Sequence, residues 1–259
     1  MLTRIEDQFI AFLDSLSKSY FLVQKTILGC FAKPFEAKLV VYQMVSIGYR
    51  SLPVAMLTAF SVGMVLALQA GYSGMYVFNE PLYVGTIVAF SIVKELGPVL
   101  TATVITGRVG AAITAELGTM KVTEQIDALY TLGTNPIKYL AVPRFLACIT
   151  MIPILTAISN ILSIIGGWVV SRFKLDIPST IYWSDTLDFL RIDDFFHGFI
   201  KSFFFAAIIG FVSIYKGFET KGGAQGVGKA TTQSVVTTLV LIVVTDYFIS
   251  VVLVAIGIG

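Results

Sequence analysis

Apolar residues run through this chain in long blocks, and polar residues gather between them. Five blocks stand out, at 51–70, 82–106, 145–170, 198–215 and 235–257, each near the ~17–25 residues that a tilted transmembrane helix needs. The third carries no charge; the second contains Lys94 and Glu95, the fourth Lys201 and the fifth Asp246. Ahead of them, Ile5, Phe9, Phe12, Leu13, Leu16, Tyr20 and Ile27 recur at steps near three and four, with Glu6, Asp7, Asp14, Lys18 and Lys25 between them, the pattern of an amphipathic helix. Acidic residues in its first turns and the lack of a small-residue cleavage site argue against a secretory signal, and the pattern predicts a helix lying in the membrane interface. The fold expected is all-α and integral to a membrane. About five transmembrane helices over 51–257 follow an interfacial region at 1–50, in one domain spanning 1–259.

Composition supports this. Of 259 residues 56% are hydrophobic and 13% charged, and the mean hydropathy is +0.85, far more apolar than the ~45–50% apolar and ~25% charged of soluble domains. A net charge of +2 offers no nucleic-acid surface. Cys30 and Cys148 stand in different segments at no metal or redox spacing, which makes them ordinary apolar side chains. The location of the charges sets the orientation. With the amino end in the cytoplasm, thirteen of the 18 basic residues fall on that side, while the far side keeps Arg172, Lys174 and Arg191 among Glu80, Asp176, Asp185, Asp188, Asp193 and Asp194. That is the positive-inside asymmetry, and five spans then put the carboxyl end outside.

Two features are set aside on chemistry. Gly223 to Lys229 has the G-x-x-x-x-G-K spacing of a phosphate-binding loop, but position 230 is Ala where Ser or Thr would hold magnesium, and no β-strand precedes it. It reads as a turn, with Thr231, Thr232 and Ser234 available to start the fifth span. His197, the one histidine, has no second histidine or cysteine nearby, so a metal site is not expected and a solvated loop with helix-capping aspartates is. No nucleophile and base pair appears at a usable spacing, so the chain is not expected to be an enzyme or to bind a cofactor.

The polar interruption at 94–144 divides in two. Lys94 and Glu95 lie inside the second block, where a charge costs at least ~2.5–3.5 kcal/mol unless paired or hydrated, which makes them functional candidates. Helical neighbours point ~100° apart, so the two do not serve one point. Past residue 107, Thr123 is placed to cap a short helix with Glu124 and Asp127 in its first turns, ended by Gly133 and Pro136. This is a helix parallel to the membrane, of the kind that fits a groove on a motor protein, or a plain cytoplasmic loop helix. Lys201 is expected to snorkel to the outer interface. Asp246 is expected to hydrogen-bond a neighbouring helix, with a functional carboxylate as the alternative.

Several ordered blocks resemble the MlaE-type permeases: Lys94-Glu95-Leu-Gly-Pro98, Gly107-Arg108-Val-Gly110, Thr114-Ala-Glu116-Leu-Gly118, Thr123-Glu124-Gln125-Ile-Asp127-Ala-Leu129, and Asn135-Pro136 through Pro143-Arg144-Phe145. The likeness extends to Gly63 through Gln69, to Lys229-Ala-Thr-Thr232 and to Asp246, covering the chain from about residue 50. It implies a homodimeric permease of a lipid-transporting ABC system in the inner membrane of a double-membraned bacterium. Its partners would be an ABC ATPase that holds ATP and magnesium, an MCE-domain periplasmic substrate-binding protein and a small STAS-domain protein; the cargo would be phospholipid. On that reading Arg108, Glu116, Lys121, Glu124 and Asp127 are candidates for coupling to the ATPase. Lys94, Glu95 and Asp246 are candidates for the lipid path, with Glu95 facing a dimer cavity or pairing with the other subunit's Lys94. Gln69, Tyr72, Met75, Tyr76 and Phe78 would line an acyl-chain pocket, or serve as an aromatic interface belt. The alternative class is a secondary transporter or channel with Glu95, Lys94 and Asp246 as an ion relay, although no internal repeat is visible.

Overall fold

The computed structural model describes residues 2–31, 36–78 and 83–257, with the side chains of 2–12, 15, 16, 77 and 78 left out. Among the described residues every regular element is helical. In chain order these are α1 (Leu2–Phe31), α2 (Ala37–Tyr76), α3 (Val84–Val122), α4 (Gln125–Thr131), α5 (Ile137–Phe173), α6 (Ser179–Phe189), α7 (Ile192–Phe218) and α8 (Gly223–Ile256). Helices α2, α3, α5, α7 and α8 are each long and apolar enough to cross a membrane. The chain is a multi-pass membrane protein, as its hydropathy predicts.

Helix ends depart from the expected blocks because polar turns continue the helices beyond the apolar runs. α2 begins at Ala37, so 37–50 belongs to the first long helix and not to a separate interfacial stretch; a tighter turn at Tyr49–Ser51 joins its two parts. α8 begins at Gly223, after Gly222 with φ +89°, so the glycine-lysine segment forms the first turns of a membrane helix and not a turn between helices. There the Thr231 and Thr232 hydroxyls donate back to the Val227 and Gly228 carbonyls. The acidic stretch at 171–197 contains α6 and the start of α7. α6 lies against α3 and α5: the Thr86 hydroxyl donates to the Asp185 carbonyl at 3.1 Å and the Tyr182 hydroxyl to the Ile164 carbonyl at 2.9 Å.

Close approach of backbones holds the bundle together. α2 and α5 share the most extensive contact, because Gly63 lies against the Ser163 carbonyl and Gly166 against that of Phe60, leaving no room for a Cβ. The Ser163 hydroxyl donates to the Ala59 carbonyl at 2.8 Å, the small-residue packing expected where lipid supplies no hydrophobic drive between helices. Gly198 in α7 meets the Val93 carbonyl of α3 in the same way. Ile105, Leu117, Ile152, Leu155, Phe205, Ile209 and Ile242 fill the main core among α3, α5, α7 and α8.

α1 packs by its carboxyl-terminal half on the start of α5, with Thr26 buried and Leu22 and Cys30 against the core. Of its apolar stripe, Leu13, Tyr20 and Ile27 stay exposed; the side chains of Ile5, Phe9, Phe12 and Leu16 lie outside the described residues. The helix thus presents one apolar face to the bundle and another away from it.

Candidate functional site

Among the described residues, two of the three π-turns lie in α3 and carry Lys94, Glu95 and Arg108. At Ile92–Leu96 the Gly97 N–H reaches back to the Ile92 carbonyl, five residues away, and Pro98, which has no N–H, cannot restore the ordinary ladder. The extra residue in this turn points Lys94 and Glu95 at separate partners. Lys94 Nζ lies 3.5 Å from Asp194 Oδ1 and 4.5 Å from the centre of the Phe90 ring. Glu95 pairs with Lys201 of α7 through Oε2, and its Oε1 lies 3.7 Å from His197 Nε2 and 3.4 Å from the Ser250 hydroxyl. Ser250 gives its stronger bond, at 2.8 Å, to the Asp246 carbonyl. Lys201 Nζ also lies 2.9 Å from Asp246 Oδ1.

One ammonium therefore bridges two carboxylates from two other helices. Glu95, Lys201 and Asp246 stand eleven, nine and ten residues from the first residue of α3, the first of α7 and the last of α8, the helix ends on the α6 side of the bundle. At ~1.5 Å per residue that is roughly 15 Å into the bundle on all three. Lys201 is wholly buried, whereas the Glu95 side chain is 43% exposed, so the cluster has a sealed side and an open one. The arrangement locks three helices together electrostatically and leaves one carboxylate able to exchange partners.

Two expectations are corrected here. Lys201 does not snorkel: its amine points inward because Gly198, one turn earlier, brings α7 against α3 and two carboxylates wait within reach. His197 is buried within α7, not solvated in a loop. Lys94 and Glu95 each have a partner within one chain. Asp194 does cap, as expected of the aspartates: its carboxylate accepts the Arg191 N–H at 3.1 Å at the start of α7. Asp246 does reach a neighbouring helix, by an ion pair. Sequence reasoning missed Lys201, Asp194 and His197 as members of one group. Their spacing of three and four residues, on one face of α7, was the available signal.

At the opposite end, α4 hangs below α3. Ile126 is buried and Leu129 packs on the core, while Glu124, Asp127, Ala128 and Tyr130 face outward. Lys121 Nζ donates to both Asp127 oxygens at 3.0 and 3.2 Å, tying α4 to α3. The helix is capped differently from expectation. Glu124 occupies the capping position with φ +60° and no side-chain bond, and the Thr123 hydroxyl donates back to the Thr119 carbonyl. Gly133, at φ +73°, ends it, and the Asn135 side chain accepts the Ile137 N–H at 3.0 Å to start α5. Arg144, nearly buried, donates to the Leu140 carbonyl and to exposed Glu116, each at 3.0 Å. Arg108 sits higher, donating to the Ser51 hydroxyl at 2.5 Å. Glu116, Lys121, Glu124 and Asp127 thus gather at this end, and Arg108 faces a cleft that Glu116 also lines.

Near the α6 end of α2, Tyr72, Ser73, Met75 and Tyr76 line an open, mainly apolar groove of about 580 Å³. Gln69 is exposed close by, and the side chain of Phe78 lies outside the described residues. Tyr76 is 93% exposed, so within one chain the groove has one wall and no roof. Among the described residues no group of acidic, histidine or cysteine side chains is placed to hold a metal.

The profile of the family Permease MlaE matches residues 40–252. A probable ABC transporter permease of Rickettsia prowazekii is 45% identical over 217 residues, covering 84% of this chain and 83% of that protein. One from Synechocystis is 40% identical over 235 residues, covering 91% and 89%. Another, from Pyropia yezoensis, is 42% identical over 210 residues, covering 81% and 80%.

Proposed function

We propose that this chain, which belongs to the MlaE permease family of ABC transporters, moves phospholipid between membranes as one half of a homodimer driven by a separate ATPase. The observation that carries the reading is α4: a short helix fixed from behind by Ile126 and the Lys121–Asp127 pair, with Glu124, Ala128 and Tyr130 presented outward. A rigid attachment of that kind transfers the motion of a bound motor to α3 and α5 on either side of it. Two further features fit. The apolar groove at Tyr72, Met75 and Tyr76 suits acyl chains and would be roofed by a second copy. The Glu95–Lys201–Asp246 cluster supplies a polar element along the path, with Glu95 on its accessible side. On this reading the membrane is the bacterial inner membrane, with the amino end and α4 in the cytoplasm and the carboxyl end in the periplasm, as the basic-residue asymmetry suggests. An MCE-domain protein would receive or deliver lipid at the α6 end, and a STAS-domain protein would join the ATPase.

Affinity purification from native membranes tests this directly. The chain should carry an ATPase and bound phospholipid, and Glu124→Lys with Asp127→Lys should release the ATPase while leaving the chain folded; ATPase retention by that variant would overturn the role of α4. A second reading rests on one ammonium held between two carboxylates, which suits an ion relay. Proteoliposomes containing this chain alone, given an ion or proton gradient and no ATP, would show gradient-driven flux only under that reading.

A further inference from the structure

A cleft of about 200 Å³ opens between the first part of α2 and the lower part of α3, lined by Gln43, Ser46, Arg50, Arg108 and Glu116 with apolar neighbours. Its charge is unbalanced. The Glu116 carboxylate is met by Arg144 at 3.0 Å, which leaves two guanidinium groups with no carboxylate within ion-pair distance among the described residues. Arg108 is held in place by a neutral acceptor: the Ser51 hydroxyl takes its N–H at 2.5 Å while donating to the Ile47 carbonyl. A serine in this role orients the guanidinium without neutralising it. Arg50 is exposed beside it, and Ser46 and Gln43, one and two turns earlier on the same helix, add neutral polar groups.

The cleft also sits at a defined depth. Arg50 immediately precedes the apolar block at 51–70, and Arg108 follows the block at 82–106 by two residues. Both arginines therefore stand at the boundary of the hydrocarbon layer, where lipid headgroups lie. Tyr49, 71% exposed, is next to Arg50, an aromatic at the same level as interfacial anchors. Exposed Val54 and Leu57 continue the surface into the apolar layer, where acyl chains would lie. Guanidinium groups bind phosphate oxygens with paired, charge-assisted hydrogen bonds, and basic pockets between membrane helices are suited to anionic headgroups.

We infer that the Arg50–Arg108 cleft binds a phosphate group, that of a membrane lipid headgroup at the bilayer surface, at a site separate from the Tyr72–Tyr76 groove. Arg108 thereby acts as a lipid ligand and not as a contact for the ATPase. An occupied cleft cross-links α2 to α3 at the end nearest α4.

The test uses the full chain purified in detergent and stripped of lipid. Binding of dioleoyl phosphatidylglycerol is measured by native mass spectrometry, beside dioleoylglycerol, which has the same tails and no phosphate, and inorganic phosphate. Phosphatidylglycerol should bind more tightly than dioleoylglycerol, which lacks the phosphate and retains only apolar sites such as the Tyr72 groove. Arg50→Gln should weaken phosphatidylglycerol binding about fivefold, the effect of one surface arginine, with unchanged lipid-free thermal stability because its exposed side chain makes no hydrogen bond or ion pair among the described residues. Arg108→Lys, which keeps the charge and loses the fork, should weaken it less than Arg108→Gln. Competition by millimolar inorganic phosphate would assign the site to phosphate as such, and failure to compete would assign it to the esterified lipid. Equal binding of phosphatidylglycerol and dioleoylglycerol, or equal phosphatidylglycerol binding by the Arg50→Gln chain and the unaltered one, would overturn the proposal. Because Arg50 and Arg108 belong neither to α4 nor to the Tyr72 groove, this outcome is independent of whether the transporter moves phospholipid.

Discussion

The chain contains ion pairs at two depths, and they rest on different supports. At Lys201 the charges lie inside the bundle, each on a different helix, and the ammonium is sealed from solvent. At Lys121 and Asp127 both partners are six residues apart in sequence and substantially exposed. The first arrangement exists only because α3, α7 and α8 are packed; the second forms locally and would survive loose packing. Burial multiplies what a missing partner costs, since water cannot replace it, whereas water readily substitutes at a surface pair. The inner cluster accordingly defines the bundle, and the outer pair defines a surface.

Substitutions can break that contrast, beginning with the largest effect. Lys201→Met leaves Glu95 and Asp246 facing each other without a cation and should destabilise the bundle by about 3–5 kcal/mol, read as unfolding in mixed micelles. Adding Glu95→Gln and Asp246→Asn to that variant should recover most of the loss. If Lys201→Met costs no more than a surface change, burial does not set the scale. Next, Gly198→Val forces a side chain into the Val93 carbonyl and should cost about 1–3 kcal/mol. It should also part Lys201 from Glu95, so combining it with Lys201→Met should cost less than the sum of the two. Asp127→Ala should change stability by less than about 1 kcal/mol in the same assay, even where it weakens ATPase binding.

The smallest effect concerns α6. Burial, helped by nearby Asp188, holds the Asp185 carboxyl above the ordinary carboxylate range. A raised folded-state value means that the folded form binds the proton more tightly, so stability falls as pH rises from the ordinary carboxylate value through the raised one. Protection factors of α6, taken relative to the intrinsic exchange rate at each pH, should therefore rise on mild acidification, and Asp185→Asn should flatten that dependence.

How far the sequence could be read follows from the same contrast. Hydropathy reports what an entire helix is immersed in, so all five membrane helices were visible. The short helix α4 is legible too, because turn glycines and acidic residues act within a few positions of one another, although its capping position falls on Glu124 and not on Thr123. Lys201 was misjudged because its environment depends on which face of α7 turns inward, and that is set by Gly198 against Val93, about a hundred residues away in sequence. Asp194, His197 and Lys201 share a helical face that would have betrayed an inward polar stripe, but an isolated charge near a helix end has snorkelling as its simpler reading. The beginning of α8 was misjudged for a local reason. Glycines at 223, 226 and 228 suggest a turn, yet Gly226 lies so close to the Lys221 backbone that only a residue without a Cβ fits the first turn of the helix.

Where Gly63 meets Ser163, no layer of side chains separates the two backbones, so there is nothing between α2 and α5 to shear. These helices act mechanically as a single strut, while α8, with 17% of its apolar window covered, is held to α3 and α7 along one side by Asp246 and Ile242 and shows the rest of its surface outward. One end of the strut carries Arg50 and the other Tyr76, about 40 Å apart at helical rise. A displacement applied at one of these residues arrives at the other as a rigid translation, with the loss of amplitude confined to the seams that the strut makes with the remaining helices.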